Sequence, residues 1–148
     1  MDIITDIVFE KIKKKVSVSG SDSIVFSSED DDLNRKVMEK IKIKILLLSQ
    51  AGRRDFSKQR NSGLNHVLVK IAKKNNIDVG INLDEIIESS SFKLADIIAR
   101  VRQNIVLCNK DKVQMKFIVL DKKNERNVYD LKSLGLVLGM PTWMVKEL

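Results

Sequence analysis

Short β-rich apolar runs alternate along this chain with longer stretches whose apolar residues recur at helical spacing. Residues 16–18 and 23–26 read as strands around a Ser19-Gly20-Ser21-Asp22 turn. The segment up to Lys15 is open: Ile3, Ile4, Ile7, Val8 and Ile12 fit a helix, the β-branched content fits a strand, and helix is favoured toward the later end. Ser28-Glu29-Asp30-Asp31-Asp32 then leads into residues 33–40. Acids ahead of a helix and bases further in suit the helix dipole, so the run reads as an N-terminal cap; four consecutive acids also allow a divalent-metal site, without any flanking ligand pattern.

Lys42-Ile43-Lys44-Ile45-Leu46-Leu47-Leu48-Ser49 begins by alternating and ends solidly apolar, as a strand covered on both faces does. A polar loop follows over 50–62, and a helix is predicted from Gly63 with Leu64, Val67, Leu68 and Ile71 as its buried stripe. Next come a strand over 77–83, a helix over 91–108 burying Leu94, Ile97, Ile98, Val101 and Ile105, a strand over 115–120, and a helical region from Val128 carrying Leu131, Leu134 and Leu138. This alternation builds a mostly parallel sheet joined by right-handed crossovers. Residues 1–148 are expected to form a single domain. A complete eight-stranded (β/α) barrel takes about 250 residues, so any barrel here is abbreviated.

Charge sharpens the picture. The chain has 27 Lys and Arg against 20 Asp and Glu, but the excess is local. Residues 1–50 carry nine acids and nine bases, and residues 76–148 ten acids and eleven bases. The middle 25 residues hold Arg53, Arg54, Lys58, Arg60, Lys70, Lys73 and Lys74 against Asp55 alone, a net +6. A concentration of that kind draws polyanions, nucleic acid above all, or else is a solvated loop. It falls between a strand and a helix, where α/β proteins bind ligands. Gly52-Arg53-Arg54-Asp55 offers two guanidinium forks, Asn61-Ser62-Gly63 offers cap groups and free backbone N–H donors, and His66, Lys70 and Lys73 share the face opposite the apolar stripe. Each also has an ordinary reading, as a surface histidine or a solvated lysine face. Phe56 alone interleaves the basic loop, which favours phosphate and shape recognition over base stacking.

Catalytic chemistry finds little here. There is no P-loop, no GxGxxG and no nucleophile–base pair, and one Cys and one His cannot assemble a Cys/His zinc site; no cofactor and no metal are expected. The lone Cys108, a start unlike a signal peptide and the lack of a run of about 20 apolar residues point to a cytoplasmic protein without a membrane partner.

Two segments resemble a known family. Gly52-Arg53-Arg54-Asp55, resumed at Ser62-Gly63-Leu64-Asn65-His66-Val67-Leu68, is similar to the G-R-K-D-x-G-I-D-H-V-L pattern of archaeal ribonuclease P protein component 3, whose eukaryotic relatives are the thirty-kilodalton subunit of ribonuclease P and MRP. Tyr129-Asp130-Leu131-Lys132-Ser133-Leu134-Gly135, continuing to Gly139-Met140, resembles its Y/R-D-L-x-S-L-G-x-x-x-G-M segment. The resemblance implies an abbreviated or incomplete TIM-like (β/α) barrel and a non-catalytic subunit. Such a subunit binds ribonuclease P RNA together with component 2 and the other protein subunits, while the RNA removes the 5′ leader of precursor tRNA. It implies RNA-facing roles for Arg53, Arg54, Asn65 and His66, to which the charge reading adds Lys58, Arg60, Lys70 and Lys73. Asp130 is expected to order its own loop or cap a helix.

This chain departs from the pattern by inserting residues 56–61, by Asn65 where Asp is usual, and by Val119-Leu120-Asp121 where small residues are common. Family members are longer, so a shortage before residue 16 and exposed sheet edges are expected. Gly135 and Gly139 suggest close packing within the chain or at an interface, and residues 141–148 a docking surface. The competing readings are a metal-dependent hydrolase on a similar barrel and a general nucleic-acid scaffold.

Overall fold

The computed structural model describes residues 2–6, 8–20 and 24–148. In chain order the elements are β1 (Asp2–Ile4), α1 (Phe9–Ser19), β2 (Ile24–Ser27), α2 (Asp31–Lys40), β3 (Ile45–Leu48), α3 (His66–Asn75) and β4 (Asp78–Asn82). They continue with α4 (Leu83–Glu88), α5 (Ser91–Asp111), β5 (Met115–Ile118), a 3-10 turn (Lys122–Asn124), α6 (Val128–Leu138) and α7 (Thr142–Lys146). All four strand pairings are parallel, and the sheet order is β1-β2-β3-β4-β5. Each crossover therefore steps the same way, the arrangement of a partial (β/α) barrel, and with crossovers of one hand the helices gather on one face.

Alternation along the strands divides the core accordingly. Ile24 and Phe26, Leu46 and Leu48, Val79 and Ile81, and Met115 share one large cluster with the helix residues Ile12, Val37, Met38, Leu68, Ile97, Val101 and Ile105. The opposite residues Val25, Ile45, Leu47 and Ile118 form a second cluster on the inner face. Gly80 lies in its middle. A Cβ there would sit 3.0 Å from Ile45, 3.1 Å from Ile118 and 3.1 Å from Leu47, so the missing side chain lets the residues of β3 and β5 close over β4.

Several sequence expectations shift. Residues 16–18 are helical: Ile12 is buried and Val16 packs against the core one turn on, while Val18 is 87% exposed, so the Val-Ser-Val alternation ran along a helix flank. The second strand of that expected pair is β2, which includes Ile24, Val25 and Phe26 and runs on to Ser27; Ser21 and Asp22 of the turn, Ser23 of the strand and Ile7 of the opening segment lie outside the described residues. The opening segment is a strand followed by a helix. The acidic run is a cap, with Asp30 accepting from the N–H groups of Asp32 (3.0 Å) and Leu33 (3.2 Å). The apolar residues of 141–148 are not left uncovered, since Met144 and Val145 are buried and Trp143 and Leu148, half-buried, pack against the core. Gly135 makes room for this: a Cβ would meet Met140 at 2.9 Å and Leu148 at 3.1 Å. Gly139 instead ends α6 with φ at +100°.

Gly80→Val should force a branched side chain among three enclosed neighbours and cost about 1–3 kcal/mol. Urea unfolding monitored by circular dichroism measures it.

Candidate nucleic-acid interface

The basic loop leaves the carboxyl end of β3 and is built around one guanidinium. Arg100, on α5 with its side chain only 6% exposed, donates from Nε to Asp55 (2.9 Å), from Nη1 to the Gln50 carbonyl (3.0 Å) and from Nη2 to the Arg53 carbonyl (3.0 Å). Asp55 also accepts from the Asn61 N–H at 2.9 Å and pairs with Arg60 at 3.2 Å. The Arg100 hydrogen bond, then the Asn61 N–H, hold its carboxyl below the usual value of 3.8. Gln50 donates to the Ser62 carbonyl at 2.9 Å and Asn104 to the same oxygen at 3.3 Å, closing the loop's far end onto α5.

Within this frame the expected RNA-facing residues separate. Arg53 is folded inward: it donates to the Ser49 carbonyl at 2.7 Å and clasps both Asp31 oxygens at 3.0 Å, with its side chain 10% exposed. It lies over Gly63, where φ is +75° and a Cβ would come within 2.5 Å of the guanidinium. Arg60 pairs with Asp55 and, at 3.4 Å, with Asp96. Asn65 is the cap of α3, accepting from Val67 N–H (3.0 Å) and Leu68 N–H (2.9 Å); the helix thus starts three residues later than expected and does not use Asn61-Ser62-Gly63 as its cap. The buried set around α3 is Leu64, Leu68, Val69 and Ala72, with Ile71 half-buried and Val67 37% exposed.

Arg54, Lys58, His66 and Lys70 are exposed and make no ion pair among the described residues, and Lys73 reaches only the Lys112 carbonyl, at 3.1 Å. His66 lines a groove of about 380 Å³ between the loop, α2, α3 and α5, which Phe56, Asn61 and Gln103 also border. The loop and the outer face of α3 therefore form a cationic strip whose other arginines are spent on construction.

Sequence reasoning missed Arg100, Asn104 and Asp84. Arg100 lies three residues after Ile97 and next to Val101, a charge on the buried stripe, and that was the available signal. Asp84 accepts from the backbone N–H groups of Leu120 (2.8 Å) and Asp121 (3.1 Å) and from the Asn124 side chain (2.8 Å), which fastens β5's exit onto α4. Asn127, not Asp130, caps α6, its side chain accepting from the Asp130 N–H at 2.9 Å. No group of three His, Cys, Asp or Glu is placed to hold a metal ion among the described residues. Burial pushes the Cys108 thiol up to about 12.

The same architecture recurs in a chain of the cryo-EM structure of archaeal ribonuclease P with mature tRNA. It matches with a TM-score of 0.80 over 98% of this chain and 63% of that one, at 22% identity. Ribonuclease P protein component 3 of Methanococcus vannielii is 22% identical over 143 residues, 97% of this chain and 55% of the relative. The chain is related to archaeal ribonuclease P protein component 3. The protein of that name from Methanococcoides burtonii is 29% identical over 130 residues, 88% of this chain and 47% of the relative. The chain thus spans about half the length of these component 3 relatives. No protein-family model matches it, and no helix among the described residues is long and apolar enough to cross a membrane.

Two measurements test this account. Asp55→Asn should lower stability at neutral pH by about 1 kcal/mol, below the usual figure for hydrogen bonds to charged groups because solvent reaches the carboxylate. Because the folded-state pKa is depressed, the wild-type advantage is complete above the ordinary value of 3.8 and fades as pH falls through the lower folded value. Cys108 should resist a disulfide reagent in the folded protein at pH 8 and react at once in denaturant; rapid labelling of the folded chain would contradict its enclosure.

Proposed function

We propose that this chain binds RNA as a non-catalytic subunit of ribonuclease P in the cytoplasm. In this reading it supports RNA-based removal of the 5′ leader from precursor tRNA and works beside component 2 and the other protein subunits. The hydrolytic chemistry belongs to the RNA. The observation that carries the reading is the cationic strip at the junction of β3 and α3. Arg54 and Lys58 project there from a loop fixed by Arg100 and Asp55, and His66 and Lys70 from α3 beside it, on a fold shared with a chain of an archaeal ribonuclease P complex. A side chain held on a braced loop loses less entropy on meeting a phosphate than one on a mobile loop. Lys58 belongs to the segment inserted in this chain, so its contact would be an addition to the family pattern.

Arg53, Arg60 and Asn65 act in this reading by shaping the surface rather than by touching RNA. An Arg53→Ala variant would therefore lose binding through the loop, and Arg54 with Lys58 is the informative pair. Arg54→Ala/Lys58→Ala should weaken binding to ribonuclease P RNA and flatten the salt dependence by about 0.7–0.9 per lost phosphate contact, without lowering thermal stability. Equal affinity of the wild-type chain for an unrelated RNA of the same length would favour the general scaffold instead. Cleavage of precursor tRNA by the protein without RNA would overturn the non-catalytic assignment.

A further inference from the structure

The amino ends of the strands carry a second concentration of positive charge that the sequence disperses. Lys42 and Lys44 lie on the approach to β3, Lys40 at the end of α2, and Lys73 and Lys74 in the last turn of α3. Folding brings them to one surface. Lys40, Lys42 and Lys74 border one shallow depression, Lys44, Lys73 and Lys112 border the next, and Asn76 and Ile77 line both. Lys73 donates to the Lys112 carbonyl, which fixes the end of α3 against the end of α5.

The acids nearby do not neutralise this surface. Glu39 is engaged by Arg35 at 2.9 Å and Asp78 by Lys116 at 3.5 Å, and Asp111 is half-buried at the end of α5. Lysines in a last helical turn complement the helix dipole, which accounts for Lys40, Lys73 and Lys74. It accounts for Lys112 too, the C-cap of α5 with φ at +56° and its ammonium 3.2 Å from the Asn109 side-chain oxygen, but not for Lys42 and Lys44, which precede a strand. Lys112 is further held over the Trp143 ring at 5.2 Å, so its position is braced.

We infer that this lysine surface at the amino ends of the strands is a second phosphate-backbone contact for RNA, joined to the loop by the outer face of α3. The inference rests on the RNA-binding reading above and extends it to the opposite end of the sheet. The ten residues of α3 span about 15 Å at 1.5 Å per residue. His66 and Lys70 mark the upper part of that path and Lys73 and Lys74 the lower, so one folded RNA could follow the helix and engage both ends. An ammonium is a point charge that suits sequence-independent phosphate contact, whereas the guanidinium donors of Arg100 and Arg53 are taken by protein carbonyls and carboxylates and build the loop.

The test is salt-titrated binding of the full chain to ribonuclease P RNA. Three variants are compared: Lys42→Gln/Lys44→Gln/Lys73→Gln/Lys112→Gln, the loop pair Arg54→Ala/Lys58→Ala, and a dispersed control, Lys11→Gln/Lys13→Gln/Lys93→Gln/Lys146→Gln, that removes the same charge elsewhere. The first should lower affinity by about tenfold or more and reduce the slope of log affinity against log salt by about 3, while the control keeps the wild-type slope. If the loop pair weakens binding and the four-lysine variant binds like wild type, the second contact is wrong and the RNA-binding reading stands. Equal slope losses in variant and control would also overturn it, by showing a net-charge effect. Failure of the wild-type chain to bind would remove both. Circular dichroism and urea unfolding of each variant establish that affinity is compared between folded proteins.

Discussion

A buried guanidinium is costly unless its donors are met, and Arg100 meets that condition by drawing the seventeen-residue loop between β3 and α3 onto α5. Its three acceptors are spread along the loop: the Gln50 carbonyl at the exit of β3, the Arg53 carbonyl, and the Asp55 carboxylate. No two neighbouring residues could supply that geometry. Once Asp55 is held there, its Oδ1 also accepts from the Asn61 N–H while its Oδ2 pairs with Arg60, and the loop's return path to Ser62 is set. Arg53 is then turned back over Gly63 toward Asp31, which fastens the same loop to the start of α2. Removing the Arg100 contact would release each of these in turn.

The use of charge follows from that construction. Arginines and lysines that look equivalent in the basic segment divide into two groups by where their acids lie. Arg53 and Arg60 find Asp31, Asp55 and Asp96, carboxylates from three different parts of the chain. Arg54, Lys58 and Lys70 find none among the described residues and stay available to an external anion. Surface ion pairs of this kind contribute little stability individually. Their value lies in fixing direction, because a guanidinium already paired inward leaves its neighbour as the outward charge.

Much of the architecture was legible because burial on two faces leaves a plain mark. The run Ile45-Leu46-Leu47-Leu48 could hardly be anything but an enclosed strand, and Ile97, Val101 and Ile105 repeat at the spacing of a helix. Legibility failed where the local pattern was shared by two states. Val16-Ser17-Val18 alternates like a strand, yet it closes an eleven-residue helix whose buried contact is Ile12, four residues earlier than Val16. The apolar tail at residues 141–148 looked unpartnered because its partners, Gly135 and Met140, are made accessible only by the turn at Gly139.

By itself the sequence determined the alternation of strands and helices, the parallel sheet, the position of the basic loop and its likeness to component 3, since each rests on patterns within a few turns of chain. Tertiary structure decided which charges build and which face outward, for that depends on acids and carbonyls far away in sequence. It also gathered Lys42, Lys44, Lys73 and Lys112 onto one surface. Residues 1–50 sum to zero charge, so lysines there carried no signal until the sheet placed the approach to β3 beside the ends of α3 and α5.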